Sequence, residues 1–185
     1  MYKQTEYEGN MTEILSKGVL RSTTVMFLFV WFAGIWMGGC ETQEQKVEKL
    51  IKQLQDDVEI RHYAIWELVE IGKDAVPDLI QALQDADSSV CVNVTTALGW
   101  IGEGAISAAP SLIQLLQDKD AGSDVRANVA TALGWIGGGA QDTVPSLIQA
   151  LQDQDAGVCQ GAVEALENID TPEALKAVEE YESRQ

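Results

Sequence analysis

Between residues 47 and 182 the apolar positions recur in two alternating patterns. The run Leu79-Ile80-Gln81-Ala82-Leu83-Gln84-Asp85 returns as Leu112 to Asp118 and as Leu147 to Asp153, with a weaker copy from Leu50-Ile51. The run Thr96-Ala97-Leu98-Gly99-Trp100-Ile101-Gly102 returns unchanged as Thr131 to Gly137, and related versions surround Leu68 and Leu166. Successive Leu-Ile starts lie 29, 33 and 35 residues apart. A period near 30 with this regularity predicts a solenoid of stacked repeats.

Each repeat holds two helical patterns. The first opens with proline at Pro77, Pro110 or Pro145, a favoured first helical position, and continues Leu-Ile-Gln-x-Leu-Gln-Asp. The second begins at Ile60, Val90, Val125 and Val158, with apolar side chains at offsets 4, 8 and 11 from that start. Those offsets share one face of a 3.6-residue helix. Gly72, Gly102 and Gly137 follow as helix stops. Ala97, Ala132 and Ala165, at offset 7, leave room for close helix approach.

Val125-Arg126 through Gly137, followed by Val144-Pro145 to Ile148, resembles the short HEAT repeat of the phycobilisome-lyase-like family. The resemblance covers about residues 47–180: four helix pairs plus a closing helix from Pro172 to Glu182. It implies an all-α fold, an α-solenoid of about four and a half HEAT-like pairs in a right-handed superhelix. The polar end from Glu179 to Gln185 suits a terminal cap.

Charge divides the chain. Its 185 residues carry 12 Lys+Arg against 29 Asp+Glu, a net charge of −17. Residues 1–39 hold three charges of each sign, so the whole excess lies on residues 40–185. That excess excludes nucleic acid as a partner of the bulk surface, since phosphate binding needs clustered Lys and Arg. All three Phe and two of the five Trp lie between residues 25 and 39. Lys17 and Arg21 precede an apolar run from Val25 to Trp36, and Met37-Gly38-Gly39-Cys40 follows. This pattern predicts a signal peptide over 1–39. Its ending resembles the lipobox of bacterial lipoproteins, with Cys40 as the lipidated residue, 40–46 as a tether and 47–182 as the solenoid. Met37 departs from the usual aliphatic residue, and Met11 is an alternative start that makes the n-region net positive. The other reading is an uncleaved anchor. The uncharged stretch Ser22 to Cys40 begins Ser-Thr-Thr, so its apolar part falls short of the roughly 20 residues that span a bilayer.

Candidate functional residues lie at offsets 3, 6 and 10 of the second helices. Repeats two and three place Asn93, Thr96, Trp100 and Asn128, Thr131, Trp135 there; repeat one places Tyr63, Trp66 and Glu70, and repeat four Gly161, Glu164 and Asn168. Stacking aligns them into a polar and aromatic stripe suited to a protein or peptide partner on the concave face. The competing reading packs both Trp between repeats as filler. The acidic pairs Asp85-x-Asp87, Asp118-x-Asp120 and Asp153-x-Asp155 are expected to cap helices. The resemblance implies an inter-helix ladder through Arg61 and Arg126. Cys91 and Cys159 take the same offset two repeats apart, roughly 20 Å at ordinary helix spacing, which is too far for a disulfide.

No residue is assigned catalysis, metal or cofactor binding. Gly102-Glu103-Gly104 and Gly137-Gly138-Gly139 lack the Gly-Lys-Ser/Thr ending of a phosphate loop and read as linkers. His62 is the single histidine, too few for the paired His-Glu motifs of HEAT-repeat metalloenzymes, and its offset faces solvent. The reading that results is a non-enzymatic scaffold or adaptor, tethered to the bacterial envelope through Cys40. The rival, implied by the family resemblance, is a bilin lyase or isomerase. Against it stand the export signal and the lack of a nucleophile in a cleft.

Overall fold

Every predicted helix from residue 43 onward forms, and the reason lies at the ends as much as in the apolar stripe. The computed structural model describes residues 41–184, apart from 86–87, 138 and 140–141. The predicted signal segment and Cys40 lie outside the described residues. Four pairs follow in order: α1 (Gln43–Gln53) with α2 (Val58–Ile71), α3 (Val76–Asp85) with α4 (Ser88–Ile101), α5 (Ala109–Gln117) with α6 (Ser123–Ile136), and α7 (Thr143–Ala150) with α8 (Ala156–Ile169). A closing helix, α9, spans Pro172–Glu182. Among the described residues no helix is long and apolar enough to cross a membrane.

Gly72, Gly102 and Gly137 end their helices at φ +69°, +66° and +89°, where an L side chain is strained. The Gly72 and Gly137 N–H groups satisfy the carbonyls of Leu68 and Leu133. The segments after Gly72 and Gly102 are not open linkers. They wind as 3-10 turns, Gly72–Ala75 and Gly102–Ala108, straight into the next first helix. The prolines therefore sit second or third in their helices, behind Val76, Ala109 and Thr143. Proline is tolerated there because the first N–H groups of a helix have no partner to lose. The second helices begin two residues earlier than the apolar pattern indicates, because their first turns carry polar or small residues.

The acidic turns cap unevenly. Asp155 accepts the Gly157 N–H at 2.9 Å, and Asp57, before α2, accepts from Ile60 N. Asp118 instead closes its own turn on Asp120 N, and α6 starts at Gly122 with no side-chain cap. The Asp85 and Asp87 side chains lie outside the description.

The second helices form one layer and the first helices cover it. Offsets 0, 4, 8 and 11 supply the floor: Val90, Val94 and Leu98, then Val125, Val129, Leu133 and Ile136, are buried against Leu79, Leu112 and Leu147 of the covering helices. Ile60 departs from the pattern at 40% exposure. Glycine at offset 9 sets the spacing within the layer. A Cβ on Gly99 would stand 3.2 Å from Ala132 Cα, and one on Gly134 would stand 2.5 Å from Ala165 Cα. Ala132 and Ala165 thus admit close approach as expected, each with a glycine of the preceding helix against it. A layer drawn together on one side curves the stack toward that side, so the second-helix layer is the inner one.

Among the described residues, two buried hydroxyls, Thr95 Oγ1 and Thr143 Oγ1, have no hydrogen-bond partner. An orphaned buried hydroxyl costs about 1 kcal/mol or more. Thr95→Val should therefore raise the melting temperature by about 3 °C. Thermal unfolding followed by circular dichroism measures it, and a lower melting point would mean the hydroxyl is satisfied in solution.

Candidate binding face on the second-helix layer

The aromatic members of the stripe are exposed: Tyr63 60%, Trp66 62%, Trp100 49% and Trp135 44%. Their helices hold them there, because offsets 3, 6 and 10 turn away from the buried positions 4, 8 and 11. Trp135 also answers in part to the packing reading. Its Cε3 edge lies over Gly99, within 2.8 Å of where a Cβ would stand, while nearly half the residue stays open. Glycine at position 99 thus seats the ring of the next repeat.

The amides of the polar members are spent on stacking. Asn93 Nδ2 donates to Leu54 O and to Ser89 O, each at 3.0 Å. Asn128 Nδ2 donates to Val92 O at 2.8 Å and to Thr96 Oγ1 at 3.2 Å. Thr96 and Thr131 turn their hydroxyls back to Val92 O and Ala127 O of their own helices. All four are half-buried. The expected polar stripe is therefore an inter-repeat clamp flanked by an exposed aromatic row.

Arg126 forms the inter-repeat rung implied for it. Its guanidinium meets both oxygens of Asp153 in the next repeat, Nε to Oδ2 at 3.2 Å and Nη2 to Oδ1 at 3.1 Å, with each side chain only 12% exposed. Nη1 donates to Ala121 O. The guanidinium and the Asp155 N–H hold the Asp153 carboxyl below the ordinary carboxylate range, although burial works the other way. Arg61 is half-buried at the equivalent offset. Cys91 and Cys159 are buried, and their thiols face carbonyls of their own first helices, Leu83 O at 3.9 Å and Leu151 O at 3.5 Å. They belong to separate layers of the stack.

A groove of about 370 Å³ opens between α6 and α8, lined among others by Asp124, Asn128, Thr131, Gln160, Gly161 and Glu164. Gly161 takes the offset filled by Asn93 and Asn128 in the two preceding repeats, and its missing side chain leaves the space. Of the repeat-four candidates, Gly161 and Glu164 line the groove and Asn168 does not. Asp124 and Gln160, the second residue of α6 and the fifth of α8, complete the lining from positions outside offsets 3, 6 and 10. His62 is exposed, as its offset predicts. Among the described residues no group of three or more His, Cys, Asp or Glu is placed to hold a metal ion.

The pattern of the HEAT-repeats family matches residues 47–122 and 109–183. No curated protein matches the chain. Among solved structures, the CpcE–CpcF complex of phycocyanin lyase from a Nostoc species superposes with a TM-score of 0.64 at 18% identity, covering 75% of this chain and 86% of that one. Human deoxyhypusine hydroxylase superposes with a TM-score of 0.56 at 24% identity, over 70% of this chain and 45% of that one. Both likenesses concern the fold.

Proposed function

The chain belongs to the HEAT-repeat family, and from that premise we propose that it is a non-enzymatic interaction module whose inner helix layer holds an extended segment of a partner protein. One observation carries this reading: Tyr63, Trp66, Trp100 and Trp135 stand exposed on successive second helices of one layer. Covering a large aromatic is worth about 2 kcal/mol, so a row of them is costly to leave bare and rewarding to cover. Trp100→Ala with Trp135→Ala should cut partner recovery in cellular crosslinking at least tenfold while the helical circular dichroism stays intact. Unchanged recovery would assign both rings to the stacking of the repeats alone.

The tether is part of the proposal. Glu41 and Thr42 are all that separates Cys40 from α1, so on this reading the solenoid follows its lipid almost directly. Cys40→Ser should abolish incorporation of labelled palmitate and move the protein to the soluble fraction. Retained label with unchanged fractionation would remove the lipoprotein reading. The bilin-lyase alternative draws on a fold shared at 18% identity, which carries the architecture and no chemistry. An absorbance scan of protein purified from pigment-producing cells separates the two: a visible chromophore band favours the lyase.

A further inference from the structure

Charge is distributed unequally between the two layers. The four second helices contain no lysine and two arginines, against six carboxylates: Glu59, Glu67, Glu70, Asp124, Glu164 and Glu167. The lysines of the solenoid all stand elsewhere, on α1, the turns and α9. Of the two arginines, Arg126 is committed to Asp153, and Arg61 is half-buried. Glu67 is neutralised by Lys46 at 2.6 Å. The net charge of the open inner layer is therefore negative, and Asp124 and Glu164 bring part of it to where repeats three and four meet.

The groove there has matching chemistry. Asp124 lines it from α6 and Glu164 from α8, with no basic residue in its lining. Gln160 Nε2 donates to Glu164 Oε1 at 3.1 Å, which fixes that carboxylate at the rim. The floor is a close backbone approach, since a Cβ on Gly161 would meet Ala127 O at 2.8 Å. A slot with apolar wall at Val92 and Ala127 and a carboxylate on each side suits a long cationic side chain, whose aliphatic stem meets the apolar part and whose head meets the charge. Trp135 stands one helical turn beyond Thr131 on α6, where its open face can take a second cation or the aliphatic stem of the first.

Resting on the binding-face reading above, we propose that the partner segment is basic: an extended Lys- or Arg-containing peptide with one cationic side chain in the α6–α8 groove between Asp124 and Glu164, its neighbours lying over Trp135 and Trp100. Complementary charge on an otherwise anionic module sets partner choice and speeds encounter.

Fluorescence anisotropy of a labelled ten-residue Lys/Arg-rich peptide, titrated with the full chain, tests this against a peptide of equal length with Gln at every basic position. The basic peptide should bind at least tenfold tighter, and Asp124→Asn with Glu164→Gln should remove that tenfold preference. Glu173→Gln with Glu179→Gln, exposed carboxylates on α9, removes equal charge elsewhere and should leave the preference standing. Equal losses in the two double variants would show attraction to bulk charge and overturn the proposal, as would a basic peptide that does not bind. If the Gln peptide binds as well and only the Trp variants lose it, the binding face stands and its basic preference is wrong. Circular dichroism of each variant confirms that the solenoid is intact.

Discussion

Gly134→Val should lower the stability of the solenoid by about 3 kcal/mol, the upper part of the usual range for an overfilled core. The reason is where a side chain at position 134 would point. Its Cβ would stand 2.5 Å from Ala165 Cα, 2.8 Å from Ala165 Cβ and 3.3 Å from Ala165 O, so the obstacle is the backbone of α8. A rotamer change cannot relieve that overlap; α6 and α8 must part. Parting them draws Asn128 and Thr131 away from Gly161 and reopens an interface that holds Leu133, Ile136, Ala162 and Leu166 in the core. The melting temperature should fall by roughly 10 °C. Gly122→Ser provides the control, since nothing lies within 4 Å of a Cβ there and serine is a good N-cap. Its effect should stay within about 0.5 kcal/mol. A Gly134→Val protein that melts like wild type would mean the layer has slack that the structure does not show.

Arg126→Met should cost about 3 kcal/mol, because it strands a nearly buried carboxylate without its partner. Asp153 is 12% exposed, and only the Asp155 N–H and the charge of Lys119 remain to stabilise its own. The double variant Arg126→Met with Asp153→Asn should recover most of the loss, since removing both charges also removes the desolvation problem. The pair also makes stability depend on acidity. The folded carboxyl titrates below the unfolded one, which lies near pH 4. Its contribution is therefore present above that unfolded value and is lost as the pH falls through the lower folded value. Denaturant unfolding between pH 7 and pH 2.5 should show a steeper fall over that acid window in wild type than in the double variant, which keeps the contributions of Glu48 and Glu67. Parallel curves for the two proteins would show that the rung does not form in solution.

Helix phase was legible from the residues because burial at offsets 4, 8 and 11 is a property of one helix and its own periodicity. The close approach of second helices was half legible. Alanine at 97, 132 and 165 stands out at offset 7, but the glycines at 99 and 134 that face Ala132 and Ala165 read as ordinary members of the Leu-Gly-Trp motif. Their role depends on which residue of the next helix arrives opposite. The same limit hid the fate of Asn93 and Asn128. An amide at a surface offset looks free in a sequence, whereas Leu54 O and Val92 O reach it only after the repeats stack. Proline at 77, 110 and 145 marked the right turns without fixing the first residue, since any of the first three helical positions accepts it. Exposure of Trp100 and Trp135 could not be read from the chain, because a large ring at offset 10 can lie open or fold over the neighbouring helix, as the Trp135 edge does over Gly99, and only stacking decides how much.

The substantial contacts between elements all join partners within one repeat or in the repeat next to it. Chains built this way close only short loops, and low contact order goes with rapid folding. Each pair can consolidate against the one already formed before the next is available, so structure can grow in step with emergence of the chain from a ribosome or a translocation pore. What each newly formed pair lacks is a cover for its exposed side. For the fourth pair α9 supplies it, docking Ala174 and Val178 there and turning the glutamates of its far side to water.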